Sequence, residues 1–506
     1  MSTIRRELIF AVINRAFALL DYNIHDDIDK RHEFRKQTIL ADESLTNYEK
    51  TEAIKEINIV YDRNKIFFNE GTKRICENCN QECLATLYCE YCVRNYLKTK
   101  FSNWTSGNND IDNLIQNCQL ETLTPDMIVE WIPYNNLENI RYLTKGGCSE
   151  IYAGVWNDGH YIEWDSKDQK LKRFGSHKVV LKSLKNVENA NQRWFEEAKS
   201  HLTICNKYPE IVPCYGLTQN PSSCNYMLVM NIADINLNKY LRNNKQLTWE
   251  KRIKIAHDII NSLSRIHNEN AIHRDLHSGN ILYSQENQRW FISDLGFCGP
   301  ADKTSNSVYG NLPYIAPEVI SGKQFTFASD IYSIGILMWE ISSGQPPFAN
   351  YEHNYYLAMN VINGMRPIIV SGTPLKYRKL IEKCWNANTA ERPHINTLWN
   401  EISEINKSYY EQQTDNNSEI NNIQSNLNSN INSNSVNSLI RNFKSKVYNF
   451  EDLPEPRNAT QEEQKAYHSI QLDFDIPNEI EDVEIYNNPN FHSEDQNELE
   501  IPEGNF

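Results

Sequence analysis

The chain has 506 residues and a formal charge of −15. That length exceeds what one hydrophobic core ordinarily supports, so at least two folded units with linkers are expected. The acidic balance argues against a surface built to neutralise phosphates, so no nucleic-acid partner is expected.

The apolar run from Leu8 to Leu20 is interrupted by Asn14 and Arg15, and no small-residue cleavage site follows it. It predicts an amphipathic helix packed on its neighbours rather than an export signal or membrane anchor. No stretch of about twenty apolar residues occurs in the sequence, so no membrane insertion is expected and the predicted location is cytoplasmic. Leu45, Tyr48, Ala53, Ile54, Ile57 and Val60 recur at spacings of three and four, which extends a helical region over residues 1–70.

Twelve cysteines are too sparse for a disulfide scaffold, yet Cys76, Cys79, Cys83, Cys89 and Cys92 crowd into residues 71–100. Cys76-x2-Cys79 and Cys89-x2-Cys92 are two thiolate pairs of the kind that closes a tetrahedral Zn²⁺ site, with Cys83 as a spare. The alternative is five unrelated thiols, which so short a segment could hardly bury without a metal. Four sulfur ligands leave no position for a substrate water, so a structural site is expected, and with it a module that could dock a partner. Residues 101–136 predict a short helix bearing Ile111, Leu114 and Ile115, then a linker.

From Ile140 to about Lys185 the texture becomes β-branched and aromatic, and Glu150–Trp156, Tyr161–Trp164 and Lys178–Leu184 predict an antiparallel sheet. Beyond Leu237 the helical period returns, as at Ile253, Ala256, Ile259, Ile260, Leu263 and Ile266, and it persists to Ile405. Strands followed by helices predict an α+β domain or two lobes. Residues 406–506 are Asn/Ser-rich and then acidic, a composition that predicts a largely disordered tail.

Three stretches carry chemistry. Thr144 to Ile151 contains Gly146 and Gly147 between two strands, where a tight hairpin can turn backbone amides toward phosphates. Lys182 ends the apolar strand Val179-Val180-Leu181, and a helical segment beyond it offers Glu196 and Glu197, of which Glu197 is the expected partner. Then come His273-Arg274-Asp275-Leu276-His277-Ser278-Gly279-Asn280, Ser293-Asp294-Leu295-Gly296 and Ala316-Pro317-Glu318.

In this order and spacing these stretches resemble the protein-kinase superfamily, and Leu312 to Glu318 resembles its tyrosine-kinase-like group of serine/threonine kinases. The resemblance covers residues 137–405 and implies a bilobal kinase fold, with a β-rich N-lobe and a helical C-lobe. It implies ATP and Mg²⁺, with Asp275 accepting the substrate hydroxyl proton, Lys182 held by Glu197 against phosphate oxygens, and Asn280 and Asp294 sharing the magnesium. Around the base it implies Leu143, Gly146, Gly147, Ile151, Val180 and Leu282, with Met230 as gatekeeper and Asn231 to Ala233 along the adenine edge. Asp330 resembles the buried aspartate that ties back to the catalytic loop, and Glu318 and Arg392 resemble the buried ion pair of the helical lobe.

The sequence departs from that family at several positions. Thr144 and Ser149 stand where glycines are usual, Cys148 where an aromatic is, Leu295 where Phe is, His277 where a lysine is, and Asn311 where a threonine is. The expected function is phosphoryl transfer from ATP to serine or threonine hydroxyls of protein substrates in intracellular signalling. The alternative is a pseudokinase scaffold or adaptor. Arg274 beside Asp275 also implies control by phosphate on Thr304, Ser305 or Ser307.

Overall fold

The computed structural model describes residues 4–145, 149–184, 193–295, 308–416, 445–450 and 453–472. Three helices open the chain, α1 (Arg6–Ala18), α2 (Ile28–Ala41) and α3 (Asn47–Phe68). Ile9, Val12, Ile13 and Ala16 of α1 meet Ile39, Ala53 and Ile57 in a core of their own, as the spacing predicted, whereas Tyr48 stays exposed. Thr46 and Glu49 close a capping box at the start of α3, and Glu49 also holds Arg5 at 2.6 Å.

The cysteine segment folds as a two-stranded ribbon, β1 (Arg74–Ile75) and β2 (Glu82–Cys83), followed by α4 (Glu90–Lys100). Next is α5 (Asn109–Glu121), capped by Asn108, and a short strand β3 (Glu130–Trp131). α5 is the short helix expected in residues 101–136, and β3 adds a strand to the stretch read as linker. Ile111 and Ile115 are fully buried in the large core, Asn206 Nδ2 donates to the Cys118 carbonyl at 3.0 Å, and Gln119 Nε2 donates to the Val129 carbonyl at 2.7 Å.

The N-lobe strands are β4 (Leu137–Lys145), β5 (Ser149–Trp156), β6 (Tyr161–Asp165), β7 (Lys170–Arg173), β8 (His177–Leu184), β9 (Cys214–Gln219) and β10 (Tyr226–Asn231), with α6 (Arg193–Cys205) between β8 and β9. The main sheet has the order β3-β9-β10-β8-β5-β4. Its edge pair β3/β9, outside the span read as an antiparallel sheet, is parallel. Gly216, at φ +145°, permits that pairing because a Cβ there would lie 1.8 Å from the Glu130 carbonyl oxygen. Strand Tyr161–Asp165 does not join this sheet. It forms a separate hairpin with β7, and Trp164 and Leu171 of that hairpin pack with the cysteine segment.

Period-two alternation divides the main sheet into two faces. Val179, Leu181, Met227 and Val229 pack with Trp156 into one core, which turns Val180, Lys182, Leu228 and Met230 to the opposite face.

The helical lobe contains β11 (Ile235–Asn236), α7 (Leu237–Asn243), α8 (Trp249–Asn268), β12 (Ile281–Ser284), β13 (Arg289–Ile292), β14 (Val308–Gly310), α9 (Pro317–Ile320), α10 (Phe327–Ser343), α11 (Tyr355–Ile362), α12 (Leu375–Cys384) and α13 (Ile395–Asn416). α10 is buried on every side, starts at a Thr326 cap and ends at Gly344 in the left-handed region. The Arg392 guanidinium meets the Glu318 carboxylate through two 2.7 Å hydrogen bonds, as the motif implied.

Beyond residue 405 the structure describes residues 406–416, 445–450 and 453–472. α13 runs to Asn416, β15 (Lys446–Tyr448) pairs antiparallel with β14, and α14 (Gln461–Leu472) follows. Between those last two, Arg457 N donates to the Ile362 carbonyl at 3.0 Å and Asn458 Oδ1 accepts from Ala387 N at 2.9 Å. These segments draw on the core of the lobe, in which Tyr448 is only 6% exposed. Among the described residues no helix is long and apolar enough to cross a membrane.

Candidate active site

The site lies where the two lobes meet. Lys182 projects from β8 in a row with Ile151 and Leu228, and Val180 lies in the next row with Ala153 and Met230. One sheet face therefore carries Ile151, Val180, Lys182 and Met230. Leu143, Asn231 and Ala233 border it and stay partly exposed, and Leu282 on β12 lies below. Gly146 and Gly147 lie outside the described residues, as do Thr304, Ser305 and Ser307.

The Lys182 ammonium sits 2.6 Å from Glu197 Oε1 and 2.6 Å from Asp294 Oδ1. Glu197 reaches it from α6, whose Ala198 and Leu202 are fully buried and fix the rotation of the helix. Burial works against the charges of both Lys182 and Asp294, but their attraction outweighs it, with Glu197 adding to the pull on Lys182. The lysine is held well above its usual range and the aspartate well below. His201, one helical turn beyond Glu197, accepts the Leu295 amide at Nε2 (3.2 Å), and its burial beside Lys182 pushes it down to about 3, so it is neutral. The motif reading missed His201, although its i+4 spacing from Glu197 is a helical signal.

The loop after α8 is held from beneath by Asp330. Its carboxylate accepts from His273 N at 2.8 Å, from Arg274 N at 3.0 Å and from His267 Nε2 at 2.9 Å. Arg274 at φ +71° and Asp294 at φ +60° are left-handed, a strain of about 1–3 kcal/mol each that such anchoring sustains. Asp275 and Asn280 are joined by a 2.8 Å bond from Asn280 Nδ2 to the Asp275 carbonyl, which uses the amide nitrogen of Asn280 and not its oxygen. The Ser293 hydroxyl and amide both bond the Asn280 carbonyl, which ties Asn280 to the segment carrying Asp294.

His277 accepts the Gly279 amide at Nδ1 (3.1 Å), so the ring carries its proton on Nε2, 3.8 Å from Asp275 Oδ2. A second buried network, not legible as a motif, lies beneath it. Tyr314 donates to Glu340 Oε2 at 2.7 Å and meets the Ser278 hydroxyl at 3.2 Å. Burial raises Glu340 to about 7.

In the cysteine segment the sulfurs of Cys76, Cys79, Cys89 and Cys92 all lie within 4.8 Å of one another. Cys76 and Cys92 are 3.7 Å apart, and Cys79 and Cys89 3.6 Å. A tetrahedron of Zn–S bonds has an edge of about 3.8 Å, so the four residues fit that ion. Cys83 is fully buried and lies with Cys89 and Glu90, whose carboxylate accepts the Leu84 amide.

A protein-family profile described as "Protein tyrosine and serine/threonine kinase" matches residues 137–402. A serine/threonine-protein kinase/receptor of Acanthamoeba polyphaga mimivirus is 27% identical over 61% of this chain and 18% of its own length. The serine/threonine-protein kinase pats1 of Dictyostelium discoideum is 24% identical over 58% of this chain and 9% of its own. The dual specificity protein kinase pyk3 of the same organism is 25% identical over 56% and 19%. This chain thus spans less than a fifth of each of these relatives. With the matched segment covering over half of the chain and the two lobes meeting around Lys182, the chain belongs to the protein tyrosine and serine/threonine kinase family.

Proposed function

We propose that the chain transfers the γ-phosphoryl group of ATP to serine or threonine hydroxyls of proteins. The observation that carries this reading is the Lys182 ammonium shared at 2.6 Å by Glu197 and Asp294, an arrangement that prepares one lysine for phosphate oxygens. In this reading Glu197 orients Lys182, Asp275 accepts the proton of the attacking hydroxyl, and the His277 ring proton points toward that hydroxyl. The amide oxygen of Asn280 and the carboxylate of Asp294 would hold magnesium, which when bound neutralises charge on the phosphoryl oxygens. The four clustered sulfurs would hold a structural zinc that stiffens the segment packed on the β6/β7 hairpin, and whatever surface remains could dock a protein partner. A cytoplasmic signalling role belongs to the same proposal.

The loss of two loop glycines, at Thr144 and Ser149, favours a second reading as a non-catalytic scaffold. Assay of purified full chain for ATP turnover and peptide phosphorylation separates the two. Lys182→Ala, Asp275→Ala and Asp294→Ala are each expected to abolish transfer with the circular dichroism spectrum unchanged. Full activity in any of the three overturns the assignment.

A further inference from the structure

Within the described tail a hydroxyl is delivered to the residue proposed as base. Ser445 Oγ donates to Asp275 Oδ1 at 2.8 Å and lies 3.2 Å from His277 Nε2. Because His277 Nδ1 is occupied by the Gly279 amide, the ring proton is on Nε2 and is donated to Ser445 Oγ. The hydroxyl therefore gives its proton to a carboxylate and receives one hydrogen bond that aims its lone pairs. This is the geometry of an acceptor before proton transfer.

The backbone around Ser445 is held like a bound peptide. Lys446, Val447 and Tyr448 pair with Gly310, Tyr309 and Val308. Gly310, at φ +144°, brings this edge so near the site that a Cβ there would lie 3.4 Å from Asp275 Oδ1. Tyr448 is buried in the core of the lobe and stacks on Phe450 at 5.4 Å. Further along, Ser321 Oγ donates to the Pro454 carbonyl at 3.0 Å and Gln464 Nε2 to the Gly364 carbonyl at 2.6 Å. The strand is anchored beyond Ser445 rather than at the hydroxyl, so the hydroxyl's position follows from its register on β14.

We infer that Ser445 is the chain's own phosphoacceptor, modified within the same molecule, and that the strand around it marks the peptide site as one for a serine followed by a lysine and, two residues further on, a buried aromatic. This inference rests on the proposed kinase activity. Ser445 Oγ attacks the γ-phosphorus of ATP as its proton passes to Asp275, and a new P–O bond forms. The bond from that phosphorus to the β,γ-bridging oxygen breaks, and ADP leaves with the electron pair. The product cannot resume the starting contact, since a phosphate with about −1.5 to −2 charge would face the Asp275 carboxylate. Modification therefore releases the strand and opens the peptide site to other chains.

The test incubates full chain with Mg²⁺ and ATP at widely different protein concentrations and maps phosphate by mass spectrometry. A synthetic peptide of residues 441–450 serves as the acceptor in trans. Phosphate is expected on Ser445 with a first-order rate independent of protein concentration, and Ser445→Ala is expected to lose that phosphate. Tyr448→Ala, which loosens the anchored strand, is expected to slow Ser445 modification by at least about ten-fold and to raise turnover of the peptide. Phosphorylation of the peptide with none at Ser445 overturns this inference and leaves the kinase reading standing, as does a Ser445 rate proportional to protein concentration. Failure to phosphorylate either acceptor, in wild type and Tyr448→Ala alike, overturns both.

Discussion

Removing the Glu318 carboxylate exposes how the helical lobe is held together. Arg392 has a side chain with 0% exposure and Glu318 one with 6%, and the two are joined by two parallel 2.7 Å bonds. A hydrogen bond to a charged group contributes about 1.5–3 kcal/mol, so losing two costs about 3–6 kcal/mol before relaxation. The guanidinium keeps the carbonyls of Ala328 and Asn386, each at 2.8 Å, which moderates the loss. Glu318→Ala is therefore expected to destabilise the lobe by about 3–5 kcal/mol. Arg392→Met should cost a similar amount near neutral pH, but a stranded carboxylate can take up a proton whereas a guanidinium cannot. Acidification should therefore restore part of the stability of Arg392→Met and none of that of Glu318→Ala. Replacing both residues by leucine and methionine should cost much less than the sum of the single changes, because no unpaired charge remains buried. Urea unfolding of the four proteins measures all of this. A single substitution costing under about 1 kcal/mol would refute the assignment of this pair as a buried tie.

The remaining expectations concern titration, backbone and metal. Glu340 stands near 7 when folded against 4.5 for the free group, so the folded state holds the extra proton between those values. Its contribution is complete below the lower value and is lost as pH rises through the upper one, by about 3 kcal/mol at most. Urea midpoints at about pH 5 and about pH 8 should show that fall in wild type and a smaller one in Glu340→Gln. Gly216→Ala should destabilise the N-lobe by at least about 2 kcal/mol, since its Cβ would lie 1.8 Å from the Glu130 carbonyl oxygen, and thermal unfolding would show it. Protein purified without chelator should carry stoichiometric zinc by elemental analysis, and Cys79→Ser or Cys89→Ser should lower that content, whereas Cys83→Ser should not.

What the sequence made legible follows from how chemistry constrains spacing. Asp275 and Asn280 lie five positions apart, the spacing that the proposed roles toward a hydroxyl and a cation require, and the structure joins them through the Asn280 amide. Lys182 and Glu197 were legible only beside the stretches around Asp275 and Asp294, and they meet at 2.6 Å. Tertiary partners chosen only by packing left no such trace. Ile111 and Ile115 have the same spacing whether their helix covers a linker or closes a core, and only the structure sets them among the buried residues of the large core. Tyr314 and Glu340 are likewise an aromatic and an acid on separate elements, and burial rather than spacing makes them a network.

The docked segments of the tail were illegible for a different reason. A compositional criterion asks whether a segment can bury enough apolar surface by itself to offset chain entropy, and residues 406–506 cannot. A segment that adds to an existing edge faces a smaller demand. The hydrogen-bonding groups of β14 are already ordered, the core beneath is already packed, and Tyr448, Phe450, Leu453 and Tyr467 need only complete it. A few apolar residues per docking element then suffice, diluted among asparagines and acids that mask them in any average. The same asymmetry explains why His277 reads as an unexplained departure until Ser445 is in view. The imidazole's proton-bearing nitrogen has its partner on the far side of 168 residues, at a hydroxyl that no local pattern marks.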